Sequence, residues 1–192
     1  MKIRIYTITI TALLLFKNNM LFSQKKFDLN QKEVSFDVDG KTLQGIQTAF
    51  DFGRDEVRKG WWRYAKRFGT PLDMRSHYLI TIPSEATDGN VDLKIYSKTF
   101  LDQNTIRFNI GLESKQYQSQ LKELLFQFKR DFYIRYYLNE IHFVRLSAVR
   151  ISEEYATEAN NRKKNQLLKQ LKTKQSTIEK LKDEIKTIEK RS

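Results

Sequence analysis

The sequence contains no cysteine. Without thiols the chain cannot be cross-linked by disulfides, so an ordinary hydrophobic core must hold its fold together. The same absence leaves no thiol for a lipoprotein anchor. Histidine is scarce as well: His77 and His142 each stand without a second histidine or a carboxylate cluster at ligand spacing. The sequence therefore predicts no metal site.

Familiar catalytic motifs are also missing. The sequence has no G-x-S-x-G motif, no phosphate-binding glycine loop and no H-E-x-x-H motif. We therefore expect no catalytic residues and no cofactor, and we interpret the protein as non-enzymatic.

Glycine and proline are missing from the second half of the chain. All 7 glycines and both prolines lie between Gly40 and Gly111. Because these residues mark turns and interrupt helices, strands and turns are predicted for the first half and helix for residues 112–192.

The amino-terminal segment has three successive parts. A positively charged start with Lys2 and Arg4 precedes a predominantly apolar run from Ile5 to Phe16, and the small residue Ser23 follows. This layout is typical of a secretory signal peptide, and the run is too short to cross a bilayer. We predict a signal over residues 1–23, cleaved near Ser23, and an exported protein, periplasmic or extracellular, with no transmembrane span left. An uncleaved amino-terminal anchor is the alternative.

Several short segments alternate apolar and polar residues, as half-buried strands do. They are Val34–Val38, Leu43–Phe50, Tyr78–Ile82, Val91–Ile95 and Ile106–Leu112. A helical stripe over Arg54–Phe68 separates the second from the third, and Gly60 inside it suggests a close packing contact. The order β-β-α-β-β-β-α predicts an α+β domain over residues 24–150, in which an antiparallel sheet of about five strands packs against helices.

A long helix is predicted from near Tyr117. Between Phe126 and Leu146 its apolar residues cover most of the circumference, so this part of the helix should be buried on every side. The sheet can cover one side. The first helix, a folded-back tail or a second copy of the protein must cover the rest.

The last segment, residues 151–192, is predicted to be a basic helix that restarts at Ser152 and carries coiled-coil heptads. Its apolar residues recur at alternating spacings of four and three, which indicates a candidate association seam. The seam consists of Leu167, Leu171, Ile178, Leu181, Ile185 and Ile188. Parallel pairing would set Glu184 against Glu189 of a partner, so antiparallel and intramolecular arrangements stay open.

Basic residues dominate the start of this segment, and the whole chain carries a net charge of +12. The candidate contacts to an anionic envelope surface are Arg162, Lys163, Lys164, Lys169, Lys172 and Lys174. A solvated helix face is the simpler interpretation. We expect no nucleic-acid partner, because an exported protein rarely meets one.

Three features together support a resemblance: an export signal ending in Phe22-Ser23-Gln24, an early helix with Trp61 and Trp62, and a Gly/Pro-free tail with Lys/Glu-rich heptads. In this layout the chain resembles a group of uncharacterised secreted proteins of Gram-negative bacteria. The resemblance implies an envelope location and a small sheet gripped by helices, and it supplies no activity. The order of elements also resembles helix-grip ligand-binding domains, which normally contain more strands.

Two functions follow as hypotheses. In the first, the protein is an exported interaction or assembly protein that meets another chain, itself or an envelope partner, through its C-terminal helix. In the second, it binds a small molecule or lipid in an aromatic groove between helix and sheet, lined by Trp61, Trp62 and Tyr64.

Overall fold

The computed structural model describes residues 25–86 and 91–191, so the predicted signal peptide lies outside the described residues. The strands are β1 (Gln31–Val38), β2 (Lys41–Phe50), β3 (Thr70–Asp73), β4 (Tyr78–Ile82), β5 (Leu93–Asp102) and β6 (Thr105–Leu112). The helices are α1 (Arg54–Ala65), α2 (Gln118–Thr157) and α3 (Asn161–Glu189).

All six strands form one open antiparallel sheet in the order β1-β2-β6-β5-β4-β3. The predicted α+β class, with an antiparallel sheet and a long C-terminal helix, is confirmed. The unpredicted strand is β3, which is short and contains Pro71. An edge strand can accommodate a proline, because its outer side has no neighbouring strand that needs an N–H donor.

The predicted turn at Asp39-Gly40 joins β1 to β2. Both residues have positive φ, 49° at Asp39 and 75° at Gly40, as a two-residue hairpin turn requires. Gln103 and Asn104, with φ of 43° and 69°, make the equivalent turn between β5 and β6.

Helices α1 and α2 cover one face of the sheet. Trp61 of α1 and Phe128 of α2 meet over Phe108 of β6, with Trp61 5.0 Å from Phe128 and 5.3 Å from Phe108, centroid to centroid. The expected close contact at Gly60 is confirmed, since a Cβ there would lie 2.3 Å from the ring of Phe132 in α2. The core therefore lies between the sheet and these two helices.

Helix α2 does not end where the sequence suggested. It continues through Ser152 to Thr157, and the chain restarts only at Asn161, where the Asn160 side chain accepts a hydrogen bond from the Lys163 N–H at 3.1 Å. The expectation of a restart at Ser152 is wrong, because Asn160 supplies the N-cap.

Helix α3 then folds back along α2 as an antiparallel hairpin. Near the turn, Lys163 pairs with Glu154 of α2 at 3.0 Å and with Glu158, the residue that follows α2, at 2.7 Å. At the far end Ile188 belongs to the same core cluster as Phe27 and Tyr137. The tail is therefore part of the folded domain. Within the described ranges, no helix is long and apolar enough to cross a membrane.

Candidate functional site

The outer half of α2 has only one covered side. Past Tyr137 the buried side chains are Ile141 and Val144, which recur at helical spacing on the side that faces α3. Beyond the sheet, α2 and α3 therefore rely on each other for burial.

The opposite side of the same stretch carries large apolar side chains in solvent. Leu138, Phe143, Leu146 and Val149 are 54%, 63%, 47% and 54% exposed, and we call these four the distal apolar face. At 100° per residue Phe143, Leu146 and Val149 lie about 110–170° from the direction midway between Ile141 and Val144. Leu138 lies at the edge of this face, about 90° from that direction, and lines a cleft with Ile141 and Ile185 of α3. The expectation that the helix is buried all round from Phe126 to Leu146 is wrong here, because past Tyr137 only α3 covers α2 and this side stays open.

Charges of opposite sign flank the distal apolar face. Arg135 lies about one turn before it, and Glu153 about one turn after it. Both side chains are exposed, and neither makes an ion pair within residues 25–86 and 91–191. The open side of α2 thus has Arg135 at one end, an apolar middle, and both Arg150 and Glu153 at the other end.

The predicted association seam lies within the chain. Leu167 and Ile188 are buried, and the other four members are half-buried: Leu171, Ile178, Leu181 and Ile185. Leu181 and Ile185 pack against the main core, and Ile185 shares a surface cleft with Ile141 of α2. The seam residues thus meet α2 of the same chain.

The six predicted basic contacts lie on α3, near the turn of the hairpin and along its first half. Lys163 is held by two carboxylates, which raise its pKa to about 12, and Lys164 lies 5.7 Å from the Tyr155 ring centroid. Arg162, Lys169 and Lys172 are exposed, and Lys174 is half-buried. The exposed cations are therefore open to solvent and do not take part in the packing of the seam residues against α2.

The three predicted groove residues are separated by the structure. Trp61 is fully buried in the core, and Trp62 packs on the other side of α1 against Tyr78, 5.2 Å between centroids. Tyr64 lines a groove between α1 and α2, whereas Trp62 lines a second cleft, between α1 and the sheet, together with Asp73 and Tyr78. The three residues therefore do not share one groove, because α1 turns Trp61 into the core, Trp62 toward the sheet and Tyr64 toward α2.

Neither histidine belongs to a metal-binding cluster: the described ranges contain no group of three or more potential histidine, cysteine or carboxylate ligands. His77 is buried, with Ser76 Oγ 3.0 Å from its Nδ1 and Asp39 Oδ2 3.6 Å from its Nε2. The latter distance is too long for a hydrogen bond. His142 is exposed beside the distal apolar face.

Sequence reasoning missed Lys129. Its ammonium group lies in the core, 2.6 Å from Asp28 Oδ1 and 3.0 Å from Thr48 Oγ1. A signal was present: Lys129 follows Leu121 and Leu125 at spacings of eight and four on the sheet-facing stripe of the helix. A cation in an apolar stripe indicates an internal partner, which here comes from the segment before β1.

No protein-family model, curated protein or solved structure matches the chain. Function must therefore be inferred from these surfaces alone.

Proposed function

We propose that this is an exported, non-enzymatic assembly protein that self-associates through the distal apolar face of α2. The observation that carries the proposal is the set of four large apolar side chains left in solvent on the outer half of α2: Leu138, Phe143, Leu146 and Val149. Contiguous apolar surface of this kind marks interaction sites on soluble proteins.

The distribution of charge favours a second copy as the partner. If two α2 helices pair antiparallel about a twofold axis near Val144, Phe143 and Leu146 of one copy meet the same residues of the other. The same register sets Arg135 of each copy against Glu153 of its partner. A closed twofold contact of this type uses one surface twice, which is how most soluble homo-oligomers are built.

The C-terminal helix has a supporting role in this proposal. Its seam residues are engaged with α2 of the same chain, so they hold the outer half of α2 in place from behind. The proposed association surface is therefore not the seam on α3 but the side of α2 that faces away from α3.

Export is part of the proposal, and the segment after the predicted cleavage site supports it. The described fold begins at Lys25, whose carbonyl accepts a hydrogen bond from the Tyr137 hydroxyl, and Phe27 is buried against Tyr133. A chain cleaved near Ser23 would keep all of these contacts. Amino-terminal sequencing of the protein secreted by its host should therefore begin near Gln24; protein retained in the cytoplasm would contradict export.

Self-association is tested by sedimentation velocity on the purified protein. The wild-type protein should sediment as a dimer at micromolar concentration, and the double variant Phe143→Ser, Leu146→Ser as a monomer, because the centre of the contact is lost. The matched control is Leu72→Ser, Leu101→Ser, which removes two equally exposed side chains from the sheet and should leave the dimer intact. A wild-type monomer would contradict the proposal.

The register is tested by exchanging the flanking charges. Arg135→Glu or Glu153→Arg alone places like charges opposite each other and should weaken dimerisation by roughly tenfold, and the double exchange should restore it. Equal and additive losses in the two single variants, with no recovery in the double variant, would rule out the antiparallel register.

A further inference from the structure

A groove runs along the surface between α1 and α2, nearer the sheet than the distal apolar face. Its volume is about 240 Å³. Gly60 allows the two helices to approach, and the ring of Phe132 lies over it. The space is smaller than the roughly 300–1,000 Å³ of drug-sized ligand sites, so it suits a single ring or a short chain.

The rim of the groove is positively charged. Lys59, Arg63, Arg67 and Arg135 line it, against the carboxylates of Glu56 and Asp131. Both carboxylates are already engaged, since Asp131 pairs with Arg67 at 2.6 Å and Glu56 accepts a hydrogen bond from the Gly53 N–H at 2.8 Å.

Three rim cations remain without an acidic partner. Lys59, Arg63 and Arg135 are exposed, and none makes an ion pair within the described ranges. They come from both sides of the groove, Lys59 and Arg63 from α1 and Arg135 from α2. An anion in the groove would therefore meet positive charge from both helices.

The floor of the groove is aromatic. Phe52, Phe132 and Tyr136 form a continuous cluster, with Phe52 4.8 Å from Phe132 and 5.1 Å from Tyr136, ring centroid to ring centroid. Burial raises the pKa of Tyr136 and of Tyr64 above the ordinary value of 10.0, and each phenol hydroxyl can donate a hydrogen bond. A ligand in the groove would therefore contact flat aromatic rings at the floor and cations at the rim.

We propose that this groove binds a small amphipathic carboxylate. The apolar body, an aromatic ring or a short acyl chain, lies on Phe132 and Tyr136, and the carboxylate meets Arg63 and Arg135. Charge-assisted hydrogen bonds from guanidinium groups supply the orientation, and the aromatic floor supplies most of the buried area. The proposed dimer also uses Arg135, which it sets against Glu153 of the partner, so the ligand and the partner would share this one residue. Arg63 lies outside the dimer contact, and for that reason the binding test rests on Arg63.

Binding is tested by NMR titration of the purified protein with naphthoate and with octanoate. Both should shift the backbone amides of residues 59–63 and 135–139 with a saturating dependence on concentration. The neutral analogues naphthylmethanol and octanol should bind about tenfold more weakly, because they lack the charge that the arginines recognise. Naphthoate binding alone assigns a ring as the natural body, and octanoate binding alone a chain.

Arg63→Gln is the main variant and should weaken carboxylate binding about tenfold, whereas Arg63→Lys, which keeps the charge, should lose less. The matched control is Arg54→Gln, an exposed arginine of the same helix outside the groove, which should bind like the wild type. An unchanged thermal midpoint in each variant shows that the fold is intact.

Three results would overturn the inference: no saturable shift with either carboxylate at millimolar concentration, equal binding of the neutral analogues, or equal affinity in Arg63→Gln and Arg54→Gln. The Phe143→Ser, Leu146→Ser variant should bind the carboxylate normally. Failure of the groove therefore leaves the assembly proposal standing, and the reverse also holds.

Discussion

Lys129 places an ammonium group among aromatic rings. Its Nζ lies 5.4 Å from the Phe50 ring centroid and 6.0 Å from those of Phe27 and Tyr133, and its side chain is only 2% exposed. Burial lowers the pKa of Lys129, and the hydrogen bond to Asp28 opposes that shift. The Asp28 carboxylate is 44% exposed, so the two partners of this pair have unequal access to water.

This inequality predicts unequal costs for the two single substitutions. Asp28→Asn leaves the buried ammonium group of Lys129 without its anionic partner and should lower the free energy of unfolding by about 3 kcal/mol at pH 7. Lys129→Met leaves the Asp28 carboxylate exposed to water and should lower the free energy of unfolding by about 1 kcal/mol. Urea unfolding of the two variants measures the difference. Equal costs would contradict the burial assigned to Lys129.

The pH dependence of Asp28→Asn has a definite sign. Without the carboxylate, the pKa of Lys129 should fall further below its ordinary value of 10.5 in the folded state. Between the lowered pKa and 10.5 the unfolded chain binds more protons than the folded chain, so the free energy of unfolding should rise from pH 7 to pH 9.5. Lys129→Met should lack this rise. A flat profile in Asp28→Asn would show that Lys129 is not responsible.

The packing of α3 on α2 can be tested with two adjacent leucines of α3, because one of them is buried and the other is exposed. Leu167 is 4% exposed and Leu168 is 40% exposed. Leu167→Ala should lower the free energy of unfolding by about 2–4 kcal/mol, and Leu168→Ala by less than about 0.5 kcal/mol. If both substitutions are equally mild, α3 is not packed on α2 in solution.

Local sequence patterns predicted some elements of the fold and missed others. Period-two alternation was enough to locate most strands, and Asp39-Gly40 was enough to locate a hairpin turn, because both signals are local. Strand β3 was missed because its four residues, one of them a proline, are too few to show an alternation of apolar and polar side chains. Ser152 and Asn160 are both good N-cap residues, and only the contacts of Lys163 with α2 distinguish them.

The heptads of α3 raise a different difficulty. A stripe such as Leu181, Ile185 and Ile188 has the same spacing whether its partner is another molecule or the preceding helix of the same chain. The distal apolar face was likewise part of an all-round apolar pattern that did not say which side stays open. Trp61, Trp62 and Tyr64 were predicted to share one groove because composition does not show which way a side chain faces, and the structure places them on three sides of α1.

At the scale of the whole molecule, the account rests on a compact sheet domain from which the α2–α3 hairpin extends. From Ile141 to the end of α2 at Thr157 the hairpin spans about 25 Å. On its open side Arg135 comes before the apolar residues and Glu153 after them, and an antiparallel copy would set these two charges against each other. The pairing of two α2 helices is therefore the central claim, and the absence of cysteine from the natural sequence makes single-site spin labelling straightforward.

The most direct measurement is the distance between spin labels in two single-cysteine variants, Arg145→Cys near the proposed twofold axis and Ala156→Cys near the end of α2. Antiparallel pairing predicts an intermolecular distance below roughly 20 Å at position 145 and of roughly 35–40 Å at position 156. Short distances at both positions, or no dipolar coupling at either, would contradict the account.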